Sequence, residues 1–216
     1  MPDVIANNIG FLLQGLAVTA QLSLWTIVFG SLLGLVLALI RFLRVPVVSQ
    51  LAAAYIEFIR GTPLLVVLFI TYFGFPAVLQ YQTTAYSAAL LGFILFIAAY
   101  IAEDIRAGLQ SVRPGTVQAA LATGLRRRQV LRLIILPQAL RNTIPTLFNQ
   151  YVRLFKFTSV ASVIGVMDLT GTAMLVNARE FRPVTIIIFL ALTYLVCCSG
   201  ISLIGRVLYA QLAMKT

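Results

Sequence analysis

A set of polar side chains lies along one face of an otherwise apolar segment in the second half of the chain. Its members are Thr146, Asn149, Arg153 and Lys156. Steps of three and four residues separate them, which places them on one side of a helix, with Ser159 somewhat around it. Two cations with few acids nearby favour a ligand that carries a carboxylate, such as a zwitterionic amino acid. The alternative is that both reach backbone carbonyls, another subunit or the membrane interface by snorkelling.

A second polar group interrupts an apolar segment in the first half of the chain. Glu57 and Arg60 are three residues apart, close enough to pair on one helix face. The next three residues, Gly61, Thr62 and Pro63, are expected to interrupt regular backbone hydrogen bonding. Two interpretations stay open. Either the local pair makes Arg60 tolerable in a bilayer, or the break lines a cavity and exposes polar backbone to it.

The chain lacks the residue sets that catalysis and metal binding use. It has no histidine, and its two cysteines, Cys197 and Cys198, are adjacent in an apolar run. This excludes a zinc-type cluster and a Cys/His or Ser/His/Asp constellation. A phosphate-binding GxxxxGK[ST] loop needs a lysine after a glycine, whereas both lysines here follow bulky apolar residues. We therefore expect no catalytic residue, no metal site and no ATP bound by such a loop.

Transmembrane helices are the elements that position these side chains. The composition is 61% hydrophobic and 10% charged, whereas about a quarter of the residues in soluble domains are charged. Residues 4–40, 61–102 and 184–205 carry no charge, and each stretch can hold a span of roughly 20 residues. The first stretch is too long for a signal peptide and is expected to remain as a helix. With Gly, Pro and polar punctuation, the sequence predicts an all-α integral membrane protein with five spans, at about residues 11–39, 51–73, 86–107, 144–166 and 184–209.

Basic residues concentrate in alternate links between the predicted spans. Eleven lie on one side, and two, Arg179 and Arg182, lie on the other. The positive-inside rule then predicts that the N-terminus is outside, the C-terminus is inside, and the link at about 108–143 is cytoplasmic. Such loops account for the formal charge of +10 without a nucleic-acid partner. We expect one transmembrane domain over residues 1–216.

The cytoplasmic link is too rich in helix formers to be a flexible linker. Residues 117–122 and 127–136 are predicted to form short helices separated by Gly124, where a positive φ or a close backbone approach is expected. A glycine that merely ends a helix is the alternative. Pro137 is expected to end or bend the second helix. That helix has an apolar stripe opposite a basic one, so it either lies on anionic lipid or docks on another protein. The apolar stripe consists of Val130, Leu131, Ile134 and Ile135.

The cytoplasmic link carries the pattern Gln118-Ala119-Ala120, three residues, Gly124, nine residues, then Ile134-Ile135-Leu136-Pro137. This pattern resembles the EAA loop of permease subunits from bacterial ABC importers. Further stretches are residues 59–65 (IRGTPLL), 100–103 (YIAE) and 136–141 (LPQALR), and Lys156 with residues 158–159 (TS) and 162–165 (SVIG). They are similar to the polar amino acid branch, the histidine, arginine, glutamine and glutamate importer permeases. The resemblance covers nearly the whole chain.

The resemblance implies a MetI-like permease fold and one half of the path of an ATP-driven amino acid importer in the bacterial cytoplasmic membrane. Expected partners are two ATP-binding cassette subunits that bind the ATP and Mg²⁺, a second permease of the same or a homologous chain, an extracytoplasmic solute-binding protein, and lipid. The implied coupling residues are Gln118, Ala119, Ala120, Gly124, Ile134, Leu136 and Pro137. The pathway candidates are Glu57, Arg60, Gly61, Thr62, Pro63, Asn149, Arg153, Lys156 and Ser159.

Two positions depart from the family pattern. Gln118 stands where the family usually has Glu, which removes the charge for a salt bridge to the ATPase. Phe157 stands where relatives often have a polar or acidic residue, so we assign no substrate role there.

Two other functional classes compete with this interpretation. An ATP-independent channel or secondary transporter explains the embedded charges but gives no reason for the loop. A membrane-embedded enzyme needs a nucleophile and a base, whereas Glu103 and Asp104 beside Arg106 are expected to form a charge cluster at a helix end. The sequence leaves open which polar solute is carried and whether the partner permease is identical.

Overall fold

The part of the chain that the structure describes, residues 2–80 and 82–214 of a computed structural model, is built from helices. Its α-helices are α1 (Pro2–Phe42), α2 (Val48–Gly61), α3 (Leu64–Phe69), α4 (Phe75–Leu79), α5 (Ala85–Gln110), α6 (Pro114–Ala122), α7 (Arg127–Val130), α8 (Leu136–Phe157), α9 (Leu169–Glu180) and α10 (Pro183–Met214). Wide π turns at Ile70–Gly74 and Leu131–Ile135 join α3 to α4 and α7 to α8. A 3₁₀ segment, Thr158–Ile164, follows α8.

Five candidate membrane spans account for most of these helices. Three helices, α1, α5 and α10, are each long and apolar enough to cross a bilayer. Two further candidates are bent pairs: Val48–Gly61 with Leu64–Leu79, at 112°, and Arg127–Ile164 with Leu169–Glu180, at 52°. Counting each bent pair as one span gives the number that the sequence predicted.

The prediction of one continuous helix over residues 51–73 for the second span is wrong. The chain breaks after Gly61, because Thr62 is extended (φ −102°, ψ 133°) and Pro63 has no N–H to continue the hydrogen-bond ladder. Helix then resumes and runs through the predicted second link as far as Leu79. The break itself lies where the sequence predicted it.

The predicted fourth span at 144–166 is also corrected, at both ends. Helix α8 begins eight residues earlier, at Leu136. Pro137 does not end the predicted helix at 127–136, because helical structure continues from Arg127 through Leu136 into α8. Proline is tolerated here because it lies in the first helical turn, directly after the wide turn at Leu131–Ile135. After the 3₁₀ segment the chain forms α9, where the sequence analysis placed a link. The buried side chains Leu169, Ala173 and Val176 give α9 its apolar face.

Helix α5 forms the centre of the bundle, packed between α1, α2 and α8. It is rich in buried alanine, and α1 faces it with glycines four residues apart. A Cβ at Gly30 would overlap Ile97, and a Cβ at Gly34 would lie 2.7 Å from Ile101 Cγ2. Small residues at this spacing allow two membrane helices to approach closely. In contrast, α10 packs mainly against α8 and α9 and leaves Leu192, Val196 and Leu203 exposed.

Candidate functional site

The predicted polar face of α8 is present and lies on the surface of the subunit. Asn149, Arg153 and Lys156 are all exposed, as is Thr146 one turn earlier. Ser159 lies beyond the end of α8 and is half-buried, and its hydroxyl donates to the Lys156 carbonyl at 2.7 Å. Within residues 2–80 and 82–214, neither Arg153 nor Lys156 forms a salt bridge. Both cations are therefore open to water, to a ligand or to another chain.

A cavity of about 170 Å³ adjoins this face between α8 and α10. Asn149 and Val152 line it from α8, and Ser202, Arg206 and Tyr209 line it from α10. A third cation, which the sequence analysis did not select, therefore lies beside the polar face. The signal for Arg206 was weak, because its place near the end of the last span made it one of many cytoplasmic basic residues.

Behind the polar face, α8 is linked to α5 through a buried amide. Gln150 Nε2 donates to Asp104 Oδ2 at 3.0 Å, and Gln150 Oε1 has no hydrogen-bond partner among the described residues. Asp104 also interacts electrostatically with Arg153 of α8 and Arg60 of α2. Two pathway candidates from different helices therefore lie near one acid of α5, without forming a salt bridge to it. Gln150 was not predicted as a site residue from the sequence, because its partner is 46 residues away.

The neighbouring acid, Glu103, is the centre of an arginine cluster. Arg41 Nη1 lies 3.1 Å from Glu103 Oε2, and Arg60 Nη1 lies 3.8 Å from Oε1. Arg106, three residues along α5, pairs with the same carboxylate. The predicted charge cluster is thus confirmed for Glu103 and Arg106, and it connects α1, α2 and α5. It is wrong for Asp104, which bonds to Gln150 instead. Removing the Glu103 carboxylate would leave three neighbouring cations without their shared counter-charge.

The interpretation that Glu57 neutralises Arg60 is wrong. The Arg60 guanidinium pairs with Glu103 and also lies over the Tyr100 ring, 5.7 Å from its centroid. Glu57 is exposed. The charge of Arg60 is compensated across helices because the turn of α2 that carries it faces the end of α5.

The break between α2 and α3 lies on the surface, with part of its backbone satisfied locally. Thr62 Oγ1 donates to the Phe58 carbonyl at 2.7 Å, and Thr62 N donates to Ile59 O at 3.2 Å. Gly61 and Pro63 are exposed, and a Cβ at Gly61 would meet no atom within 4 Å. Irregular backbone is tolerated at membrane depth only against protein or water. The geometry therefore favours a break that lines a cavity or an interface.

The loop between α5 and α8 projects from the bundle as two short helices. Gly124 separates them and adopts φ +86°, the left-handed conformation predicted for it, with open space where a Cβ would stand. Gln118 and Ala119 are exposed on α6, whereas Ala120 is buried. Farther along, Leu136 and Pro137 are exposed and Ile134 is half-buried. The predicted apolar stripe is confirmed: its members, Val130, Leu131, Ile134 and Ile135, are buried or half-buried, opposite exposed arginines.

A groove of about 370 Å³ lies between this loop and the end of α1. Apolar side chains line most of it, with Phe42 from α1 and Val117 and Leu121 from α6. Gln129 Oε1 accepts a hydrogen bond from Arg126 N at 2.8 Å and so fixes the start of α7. The loop is therefore an ordered surface element that could seat against another protein.

One buried polar group was not predicted as a site from the sequence. Asp168 is fully buried, and its Oδ1 accepts from Gly171 N at 2.9 Å, which caps α9. The next amide, Leu169 N, donates to Thr19 Oγ1 of α1 at 3.0 Å. Asp168 and Thr19 therefore fix α9 against α1. An aspartate directly before an apolar run was the available signal for a helix start.

Phe157 and the two cysteines lie in apolar surroundings. Phe157 is half-buried, with its ring 6.1 Å from that of Phe96, so this departure from the family pattern packs into the core. Cys197 and Cys198 are free thiols, partly buried on α10. Across residues 2–80 and 82–214, no group of three or more His, Cys, Asp or Glu side chains could hold a metal ion.

Comparison with known proteins gives consistent matches over almost the whole chain. Residues 30–214 match the family described as binding-protein-dependent transport system inner membrane component. The chain is 37% identical to an L-cystine transport system permease of Bacillus subtilis, over 89% of this chain and 83% of that one. It is 35% identical to a glutamate/aspartate import permease of Escherichia coli, over 98% and 96% of the two chains.

Comparison with solved structures supports the same family. A crystal structure of an amino acid ABC transporter with histidines contains a chain that is 32% identical, with a TM-score of 0.90 over 96% of both chains. A subunit of the MetNI methionine ABC transporter has a TM-score of 0.76 at 16% identity, over 94% of this chain and 97% of that one, which shows a shared fold. The protein therefore belongs to the binding-protein-dependent transport system inner membrane components, as a multi-pass permease subunit of the amino acid ABC importer family.

Proposed function

We propose that this chain forms half of the translocation path of an ATP-driven importer for amino acids. The observation that carries the proposal is the exposed polar face of α8, with Asn149, Arg153 and Lys156 on the surface of a membrane-spanning bundle. The N-terminus lies outside and the C-terminus inside, as the distribution of basic residues favours.

A lipid environment for the polar face of α8 is energetically unfavourable. Cations in the membrane interior cost free energy unless they are paired or hydrated. Arg153 is close enough to interact with Asp104, which reduces that cost but leaves the side chain exposed. We infer that a second permease subunit, identical or homologous, faces α8 and that water fills the space between them. The translocation path then runs along this face.

The charges on this face suit a substrate with a carboxylate. Arg153, Lys156 and the nearby Arg206 offer three cations, while the adjacent acid, Asp104, lies behind α8 and is bonded to Gln150. An α-amino acid carries one carboxylate, for which these cations offer partners, and its ammonium group needs an acceptor from elsewhere along the path. The relatives named for L-cystine and for glutamate/aspartate support an amino acid cargo.

Coupling to ATP hydrolysis takes place through the loop between α5 and α8. Two cytoplasmic ATP-binding cassette subunits bind ATP and Mg²⁺, and each seats one such loop in a cleft. Gly124 sets the angle between α6 and α7. Gln118 is exposed and neutral, so it contributes hydrogen bonds to the ATPase instead of a salt bridge. An extracytoplasmic solute-binding protein delivers the substrate on the opposite side.

Affinity purification of the tagged protein from its native membrane tests this proposal. The complex is extracted in mild detergent and its components are identified and quantified by mass spectrometry. We expect an ATP-binding cassette subunit in near-equal amount, and one or two kinds of permease according to whether the pair is identical. A folded protein that elutes alone or only with lipid would contradict the proposal and would favour an ATP-independent transporter.

A further inference from the structure

A basic cavity opens at the end of the bundle that carries the loop, where α1 and α5 end and α2 begins. Its volume is about 520 Å³. Three arginines line it, together with hydroxyl and amide side chains, namely Arg41, Arg44, Arg106, Ser49, Gln50 and Gln110. The translocation path proposed above uses none of these six residues. We propose that this cavity binds the phosphate headgroup of an anionic phospholipid from the cytoplasmic leaflet.

The charge at the cavity favours an anion. Arg41 and Arg106 share the carboxylate of Glu103, and Arg44 adds a third cation. Arg60 also pairs with Glu103, so the four arginines and the one carboxylate carry a formal charge of +3. Ser49 and Gln50 bring the first turn of α2 to the cavity wall, and the positive end of its helix dipole adds to this field.

Hydrogen-bond donors remain available for phosphate oxygens. A guanidinium carries five N–H donors in a planar fork. Arg41 uses one of them, from Nη1 to Glu103, whereas Arg106 uses three, to Glu103 and Gln110. Arg41 therefore keeps most of its donors, and Arg106 keeps two. The side chains of Arg41 and Arg106 are 22% and 33% exposed, so a ligand can reach them. Arginine binds phosphate through two parallel hydrogen bonds, which adds geometric selectivity to charge.

Apolar side chains beside the cavity favour a lipid over a soluble acidic partner. Five large apolar residues in and after the turn between α1 and α2 are between 37% and 69% exposed: Leu43, Val45, Val47, Val48 and Leu51. A phospholipid places its acyl chains against such residues and its phosphate against the arginines. Basic pockets between transmembrane helices on the cytoplasmic side are suited to anionic lipid headgroups.

A binding titration on the detergent-solubilised full chain tests the proposal. The probe is phosphatidylglycerol with a fluorescent acyl chain, and phosphatidylcholine with the same label is the zwitterionic control. Arg44→Gln removes one cation from the exposed turn without touching the Glu103 cluster, and Arg44→Lys keeps the charge. Arg128→Gln is the matched control, because it removes an exposed cation from the loop on the same side.

The expected result is selective binding of phosphatidylglycerol by the wild type. Arg44→Gln should weaken that binding about fivefold, because one basic residue near an anionic lipid surface contributes roughly 1 kcal/mol. Arg44→Lys should largely restore the affinity, and Arg128→Gln should leave it unchanged. Inorganic phosphate at matched ionic strength should not displace the probe.

Four outcomes would overturn the proposal. Equal affinity for the two lipids would remove the anion requirement. A loss caused by Arg128→Gln would transfer lipid binding to the α6–α7 loop. Displacement by inorganic phosphate would make the cavity a site for a soluble anion. Unchanged lipid affinity in Arg44→Gln, with less ATPase subunit co-purified, would make it a protein docking surface.

Discussion

The conformation of Gly124 gives the most specific prediction about coupling. Its φ of +86° lies in the left-handed region, and an added Cβ would meet nothing within 4 Å. The penalty of Gly124→Ala is therefore a backbone penalty without a steric clash. A left-handed L-residue costs about 1–2 kcal/mol. We expect the equilibrium ratio of the native turn to all other turn conformations to fall about 5- to 30-fold.

Two matched variants separate this effect from the general effect of a new methyl group. Gly124→Asn should retain much of the function, because asparagine enters the left-handed region more readily than alanine. Gly115→Ala adds a methyl group to α6 of the same loop, also in open space but without a positive φ. Alanine there favours the helix by up to about 1 kcal/mol and should not weaken coupling.

The assay measures the affinity of the ATP-binding subunit for the permease in detergent, and the number of substrate molecules imported per ATP in proteoliposomes. Gly124→Ala should lower both, while membrane insertion stays normal. The reasoning fails if Gly124→Ala binds the ATPase and transports like the wild type. It also fails if Gly115→Ala is impaired to the same extent.

Three further substitutions test the path and the packing. Arg153→Ala should lower uptake about tenfold, because it removes one charged hydrogen bond, while complex assembly stays unchanged on a sizing column. Arg182→Ala, at another exposed arginine, is its control. Normal uptake by Arg153→Ala would assign the arginine to structure. Asp168→Ala removes the cap of α9 and should lower the free energy of unfolding in detergent by about 1 kcal/mol, whereas Asp168→Asn keeps the cap. An equal loss of stability in both variants would refute the capping role. Gly108→Val places a branched side chain against Thr143 of α8 and should cost about 1–3 kcal/mol. At Gly10 on α1 an added Cβ meets nothing within 4 Å, so Gly10→Val should cost less in the same measurement.

Local spacing predicted the features that depend on one helix or one turn. The exposed face formed by Asn149, Arg153 and Lys156 follows from the helical period alone. The break before Pro63 follows from its missing N–H, and the positive φ of Gly124 follows from its position between two short helices. Each of these needs information from only a few neighbouring residues.

Contacts between helices could not be predicted in the same way. Arg60 was expected to pair with Glu57, which is near in sequence, but its partner is Glu103, because the order of helix packing decides which charges meet. The bond between Gln150 and Asp104 has the same origin. Helix α9 was missed because its charged C-terminal turn made the whole segment resemble a link.

The most direct test of the central claim is uptake by proteoliposomes that contain this permease with its co-purified partners. The liposomes enclose ATP and Mg²⁺, the solute-binding protein is added outside, and radiolabelled amino acids are supplied one at a time. The account predicts uptake of at least one amino acid against its gradient, which stops when ATP is replaced by a non-hydrolysable analogue and falls in Arg153→Ala. Uptake that persists without ATP hydrolysis would contradict it.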